Sequence, residues 1–192
     1  MYKKEKVEKL LEGMKTQEFY KRVTKTKESF LEEFGYIPER RSFKFELEGE
    51  PINYVRERSG RGNHFYNPKG DLMREKRLQM IKSYNKDDYN YTRDLIKNPD
   101  NEYYIYLDVQ YFLAMPKSTS NKKAAMMEMG MIKPDKTPDL DNLDKFIIDA
   151  LHDVVYDDDK RVMEIHTDKY YSMTPRTIVN VTIEEHKKDI LE

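Results

Sequence analysis

At 192 residues the chain suffices for one sizeable domain with an extra segment and falls short of two ordinary ones. It is 37% charged and 12% aromatic with 15 tyrosines and no cysteine. That excludes a disulfide framework, thiolate zinc sites and a cysteine nucleophile, and it supplies enough aromatic and aliphatic surface to argue against disorder. The formal net charge of −1 conceals a segregation: residues 54–97 hold eleven Lys/Arg against six Asp/Glu, a balance of +5, and residues 133–159 three against nine, a balance of −6. A basic tract beside an acidic cluster suits a polyanionic substrate approached by a metal-holding site, although ordinary solvated faces give the same arithmetic.

Residues 1 to about 35 read as helical, because Val7, Leu10, Leu11 and Met14, then Phe19 and Val23, then Phe30, Leu31 and Phe34 keep 3/4 spacing. Gly35 and Pro38 stop that pattern. Phe43, Phe45 and Leu47 alternate with charged residues as a half-buried strand does, and the main domain is expected to start there. Tyr54 to Gly70, YVRERSGRGNHFYNPKG, reads as a loop or irregular hairpin. Asp71 to about Lys82 is expected to be helical with Leu72, Leu78 and Ile81 inward, whereas Asn85 to Asp100 is too polar for its spacing to decide its state. Tyr103 to Met115 is the clearest strand: Ile105, Leu107, Val109, Tyr111 and Leu113 share one face, and the other also carries bulk, as in a central strand. Pro116 to Pro138 is a basic loop with a short helix around Ala124 to Met129. From Asn142, the positions Leu143, Phe146, Ile147, Ala150, Leu151 and Val154 make one buried helical stripe, and two strands follow at about Val162 to Lys169 and Thr177 to Ile183. No apolar run approaches the ~20 residues that cross a bilayer, and MYKKEKVEKLLEG has no signal-peptide core, so the expected location is the cytoplasm.

Chemistry concentrates at the two ends of that helix. Asp139 and Asp141 bracket its start, where carboxylates can simply cap exposed N–H groups. Asp157, Asp158 and Asp159 follow its end, and if the chain doubles back there, both groups can face one point. Carboxylates held close repel unless a cation neutralises them, and Mg²⁺ accepts one or two of them while leaving room for water and phosphate. Metal-assisted phosphodiester hydrolysis is the natural hypothesis. Lys145, four residues after Asp141, either forms an i,i+4 ion pair with Asp141 or Asp149 or contacts the scissile phosphate; spacing alone does not decide. An EF-hand beginning at Asp139 would need Gly and Glu where Asp144 and Ala150 stand. His64, His152, His166 and His186 are scattered without HExxH, and no phosphate-cradling GxxxxGK[ST] exists, so neither a zinc hydrolase nor a nucleotide cofactor is expected.

The segment KTPDLDNLDKFIIDALHDVVYDDDKRV resembles the signature of the RusA family of Holliday junction resolvases: D-L-D-N-L-x-K, an amphipathic helix with D-A-L, then D-D-x-x-V/I. Weaker likeness extends from Phe43 to Glu185 through FKFELEGEPI, RGNHFYNPKG and the closing strands with Lys169 and TIVNVTI. The resemblance implies an α+β fold, a small mixed sheet packed with helices, with residues 43–192 as the endonuclease domain and residues 1–42 as an added helical extension. It also implies a Mg²⁺- or Mn²⁺-dependent homodimer of phage or prophage type that resolves four-way DNA junctions by paired nicks. The family's metal-binding aspartates fall on Asp139, Asp141 and Asp159, with Asp158 beside them, and its catalytic lysine on Lys145. Val162, three positions after Asp159, sets that register and leaves Asp157 as the spare. Arg56, Arg58, Arg61, Lys69, Lys122, Lys123 and Lys169 are the expected DNA contacts, and Tyr54, Phe65 or Tyr66 could stack on unpaired bases. The alternatives are a nuclease for flaps or other branched DNA, and a non-catalytic, structure-selective DNA-binding protein whose acidic cluster only staples the fold.

Overall fold

The computed structural model describes residues 39–56, 58–59, 65–98 and 101–186, with 58–59 and 65–66 described by backbone alone. The helical segment expected over residues 1–35 lies outside the described residues. In chain order the elements are β1 (Glu39–Glu48), β2 (Arg58–Ser59), β3 (Phe65–Tyr66), α1 (Gly70–Ser83), α2 (Lys86–Lys97), β4 (Glu102–Ala114), α3 (Asn121–Glu128), α4 (Leu140–Leu151), a 3₁₀ turn (Asp159–Arg161), β5 (Val162–Ser172) and β6 (Arg176–His186). No helix among the described residues is long and apolar enough to cross a membrane.

A four-stranded mixed sheet of order β1-β6-β4-β5 organises the domain. β6 pairs antiparallel with both β1 and β4, and β4 pairs parallel with β5, so the chain between β4 and β5 crosses over through α3 and α4. β2 and β3 form a separate two-stranded hairpin inside the segment read as an irregular loop. β1 starts at Glu39, four residues before Phe43, and Arg40 pairs there with Glu184, so residues 39–42 belong to the sheet.

β4 is central in the strand order, but only one of its faces is buried. Tyr103, Ile105, Leu107, Val109, Tyr111 and Leu113 are covered, while Tyr104, Tyr106, Asp108, Gln110 and Phe112 are half-exposed. The covered face joins Phe45 and Leu47 of β1 and Val179, Val181 and Ile183 of β6 to the stripe Leu143, Phe146, Ile147, Ala150 and Leu151 of α4. The 3.6-residue period therefore selects the core face of α4 as the spacing predicts.

α1 departs from the expected face. Leu72, Leu78 and Ile81 are 41%, 48% and 40% exposed, whereas Met80 is fully buried and Lys76 nearly so. The inward positions are Met73, Lys76 and Met80, and Lys76 reaches the sheet because its amine donates to the Glu48 carbonyl at the end of β1. Met73 and Met80 supply the apolar contacts of this face, and the Lys76 amine beside them is satisfied by the Glu48 carbonyl. α2 arises in the stretch whose polarity hid it: Asn85 caps it by accepting from Asp88 N–H at 2.8 Å, acidic Asp87 and Asp88 occupy its first turn, and only Thr92 and Leu95 are buried.

Candidate active site

α4 carries its apolar stripe inward and a polar row, Asp141, Lys145 and Asp149, along its outer side, one turn apart at i, i+4 and i+8. The helix begins after Asp139, whose side chain makes no capping hydrogen bond, so the carboxylate is not spent on the helix. Asp139 and Asp141 are both exposed. The approach to them is held from two sides: Tyr54 N–H donates to the Asn142 carbonyl at 2.7 Å, and the Lys169 amine of β5 donates to the Pro138 carbonyl at 3.0 Å.

The helix ends in a reversal. Asp153 takes a left-handed backbone (φ 64°), Val154 and Val155 N–H groups return to the Leu151 carbonyl at 3.0 and 2.8 Å, and Asp153 N–H bonds the Tyr156 carbonyl at 2.8 Å. Tyr156 is buried, with its hydroxyl donating to the Ile148 carbonyl at 2.7 Å, and burial pushes its phenol pKa up, reinforced by the charges of Asp159 and Asp149. A cleft of about 260 Å³ opens nearby, lined by Tyr54, Asn67, Met73, Arg77, Ile148, Asp149, His152 and Asp159.

The three consecutive aspartates divide their roles. Asp157 is gripped by Arg161, with Nε–Oδ1 at 2.5 Å and Nη2–Oδ2 at 3.3 Å, and accepts from the Tyr103 hydroxyl at 2.7 Å. The Arg161 hydrogen bond, with Tyr103 assisting against partial burial, holds its carboxyl down at about 2. Asp158 caps the 3₁₀ turn by accepting from Lys160 N–H at 3.0 Å and pairs with the Lys160 amine at 3.0 Å. Asp159 is exposed and borders the cleft.

Lys145 donates to Asp149 Oδ1 at 2.7 Å, which resolves the i,i+4 alternatives in favour of Asp149 over Asp141. That hydrogen bond raises the ammonium pKa above its ordinary value, and the charges of Asp149 and Asp159 and the Tyr54 hydroxyl reinforce it against burial. Asp144 turns the other way: it accepts from the Tyr111 hydroxyl at 2.9 Å and from Thr167 at 3.4 Å, and burial pushes its carboxyl pKa up.

The expected convergence of both aspartate groups on one point is not seen among the described residues. Among the described residues no three acidic or histidine side chains gather as a closed metal cage does. The physical reason is length: α4's 12 residues span about 18 Å. The returning chain brings Asp159 to the cleft formed with Ile148, Asp149 and His152, beside the helix's C-terminal half rather than its start. The donor chemistry nevertheless suits a hard divalent ion, since Asp139, Asp141 and Asp159 offer exposed carboxylate oxygens and Mg²⁺ takes only one or two before water and phosphate complete its shell.

The expected DNA contacts separate by environment. Arg56, Lys122 and Lys123 are exposed. Lys69 is committed to Asn53, donating to its carbonyl at 3.0 Å and to its side-chain oxygen, and burial lowers its amine pKa. Lys169 is committed to Pro138. The side chains of Arg58, Phe65 and Tyr66 and all of Arg61 and His64 lie outside the described residues. Tyr54 sits with its ring 6.0 Å from the Lys145 amine.

The sequence reading did not include Arg77, whose guanidinium donates to the Asp149 carbonyl at 2.7 Å and the Ala150 carbonyl at 3.2 Å. No local signal marks it, because its partners lie more than 70 residues away. Asp149 was legible as the third member of the i,i+4,i+8 row.

Two comparisons bear on this arrangement. The family model described as "Endodeoxyribonuclease RusA" matches residues 48–182, which includes β4, β5, most of β6, α4 and the cleft. The "Uncharacterized protein YqaN" of Bacillus subtilis (strain 168) is 32% identical over 143 residues, covering 72% of this chain and 94% of that protein. By the extent of both matches, the chain belongs to the RusA family, whose members are endodeoxyribonucleases that hydrolyse DNA phosphodiester bonds.

Proposed function

We propose that the protein is a Mg²⁺-dependent, structure-selective endodeoxyribonuclease that resolves four-way DNA junctions by paired phosphodiester hydrolysis, with Mn²⁺ able to replace Mg²⁺. The observation that carries this reading is the placement of Lys145 in one outer row with Asp141 and Asp149, while Asp159 borders the same cleft as Asp149, all within the family's span.

Asp139, Asp141 and Asp159 would hold one or two ions, with Asp158 adjoining. When bound, the ion supplies electrophilic assistance to the phosphodiester and makes a coordinated water more acidic. The chain's own groups do the rest. Lys145 presents a charged ammonium toward the phosphate and offsets negative charge that grows in the transition state. Arg56, Arg58, Arg61, Lys122 and Lys123 contact backbone phosphates without reading sequence. Lys69 and Lys169, already bonded within the protein, act indirectly by holding the segments before β2 and before α4.

Junction selectivity would follow from two such sites at fixed separation across the two-fold axis of a homodimer. Residues 39–192 would form the endonuclease domain, since residues 39–42 enter the sheet, and the proposed helical extension would precede them. The working compartment is the bacterial or phage-infected cytoplasm, where branched DNA arises.

The test is incubation of purified protein with a labelled immobile four-way junction, a flap and a linear duplex, with Mg²⁺ or EDTA. Paired symmetric nicks confined to the junction and absent in EDTA support the reading. A single nick at the flap assigns branched-DNA cleavage instead, and binding without cleavage under any metal withdraws the enzyme assignment for this chain.

A further inference from the structure

The Lys145–Asp149 pair sits where an ordinary surface ion pair would have no reason to be elaborated. Asp149 is 27% exposed and Lys145 46%, and the Asp149 side chain borders the same cleft as Asp159. The backbone beneath Asp149 is itself fixed. α4 has no basic residue in its last turn, and of its terminal carbonyls Ile148 is met by the Tyr156 hydroxyl and Leu151 by the returning Val154 and Val155 N–H groups, which leaves those of Asp149 and Ala150. Arg77 of α1 supplies the missing cation, its planar fork donating to the carbonyls of Asp149 and Ala150 at 2.7 and 3.2 Å.

The order of dependence is therefore Arg77 to the end of α4, Asp149 to Lys145. An ammonium has three N–H donors. One is used at 2.7 Å on Asp149 Oδ1, which leaves two for an incoming group. A four-carbon lysine chain is otherwise a flexible point charge, and holding one donor fixes where the other two point.

We propose that Asp149 is a positioning residue that holds the Lys145 ammonium for the phosphate, with Arg77 fixing the turn of α4 from which Asp149 acts. This deepens the nuclease reading and rests on it. Asp149 on its own helix bonds Lys145, the Tyr54 ring on the segment after β1 lies 6.0 Å from its amine, and Asp159 on the 3₁₀ turn adds its negative charge to the surroundings. Of these, only Asp149 makes a hydrogen bond to it. Its removal should accordingly change both the aim and the protonation of the lysine.

The experiment compares wild-type protein, Asp149→Asn and Asp149→Glu in three measurements: single-turnover junction cleavage across pH, junction affinity in Ca²⁺, and the NMR titration of the Lys145 side chain without DNA. For Asp149→Asn the expected results are a cleavage rate about 10- to 100-fold lower, the size of loss that misplacing a reacting group produces, with the alkaline limb of the profile moved to lower pH. The Lys145 titration moves down with it, while junction affinity changes less than about threefold, since no phosphate-binding cation has been removed. Asp149→Glu, which retains the charge, restores most of the rate and the limb.

An Asp149→Asn protein with the wild-type rate and profile overturns the proposal, as does equal loss of rate and binding with the limb unmoved. If wild-type protein cuts no DNA, the nuclease reading fails on its own. The Lys145 titration then decides the contact separately, and an unmoved titration in Asp149→Asn overturns it.

Discussion

Asp157 and Arg161 are joined by a two-point ion pair one turn apart, and the Tyr103 hydroxyl of β4 closes the third side of the carboxylate. The same guanidinium lies 4.0 Å from the Tyr103 ring centre and donates to the Asn101 carbonyl at 3.3 Å, so one acidic residue ties the chain after α4 to the start of the central strand. A carboxylate consumed in this way is structural, and it fixes the register in which Asp159 turns toward the cleft.

Asp157→Asn should therefore lower stability at neutral pH. The folded carboxyl is held at about 2 by Arg161 and Tyr103, below the roughly 3.9 of an unfolded aspartate. A depressed pKa stabilises the fold above the unfolded value, and the contribution disappears as pH falls from about 4 to about 2. With the side chain 35% exposed, solvent screening reduces the expected effect to on the order of 1 kcal/mol. Urea titrations at pH 7 and pH 2 should show the difference in full at the first and largely lost at the second.

Asp141→Asn and Asp159→Asn should each lower junction cleavage by at least about 100-fold while binding in Ca²⁺ is kept or tightened, because each removes repulsion toward phosphate without removing a cation. Asp157→Asn, assayed alongside at neutral pH, should retain cleavage in the folded fraction. Cleavage lost in Asp157→Asn and kept in Asp159→Asn would shift the functional register by two positions.

The orientation of α1 can be read from stability alone. Met80→Ala should cost about 2–5 kcal/mol because it opens a cavity under a fully buried side chain. Leu78→Ala, at a residue 48% exposed, should stay within about 0.5 kcal/mol. Denaturant midpoints of the two variants settle which face is inward.

Basic residues should fall into two classes by salt dependence. Neutralising Arg56, Lys122 or Lys123 should weaken junction binding and reduce the slope of log K against log salt by about one each where a phosphate contact is lost. Lys169→Met should instead destabilise the fold by about 1–3 kcal/mol, because it leaves the Pro138 carbonyl without its charged donor. Binding isotherms at several salt concentrations, paired with urea curves, separate the classes.

Arg77→Met should destabilise by about 1–3 kcal/mol through the two carbonyls it leaves at the end of α4. It should also lower cleavage more than junction affinity, since Asp149 then acts from a loosened turn. Equal stability of Arg77→Met and wild type in urea would show that these carbonyls find other partners.

The sequence by itself determined what repeats locally. Period-2 alternation in β4 and the 3/4 spacing in α4 are dictated by which side of a strand or helix each Cβ leaves, so Ile105 to Leu113 and Leu143 to Leu151 could be assigned inward before any fold was known. The DLDNLDK and DDDKRV segments likewise carried the likeness to the family, because that likeness rests on residue types in a fixed local order. Tertiary structure alone decided the rest. Parallel pairing of β4 with β5, and β6 lying between β1 and β4, depend on contacts across many residues that no local period encodes. α1 turned Met80 inward and left Leu78 outside, with Lys76 on the inward side meeting the carbonyl at the end of β1. α2 formed in a polar stretch through its Asn85 cap and the Arg41–Asp88 ion pair at 2.5 Å. Lys145 could have paired toward either end of its helix, and with Arg77 holding the C-terminal carbonyls beside the cleft that Asp159 lines, it is Asp149 that it meets. Spacing fixes which side of an element a residue faces; only the packed neighbours determine what waits there.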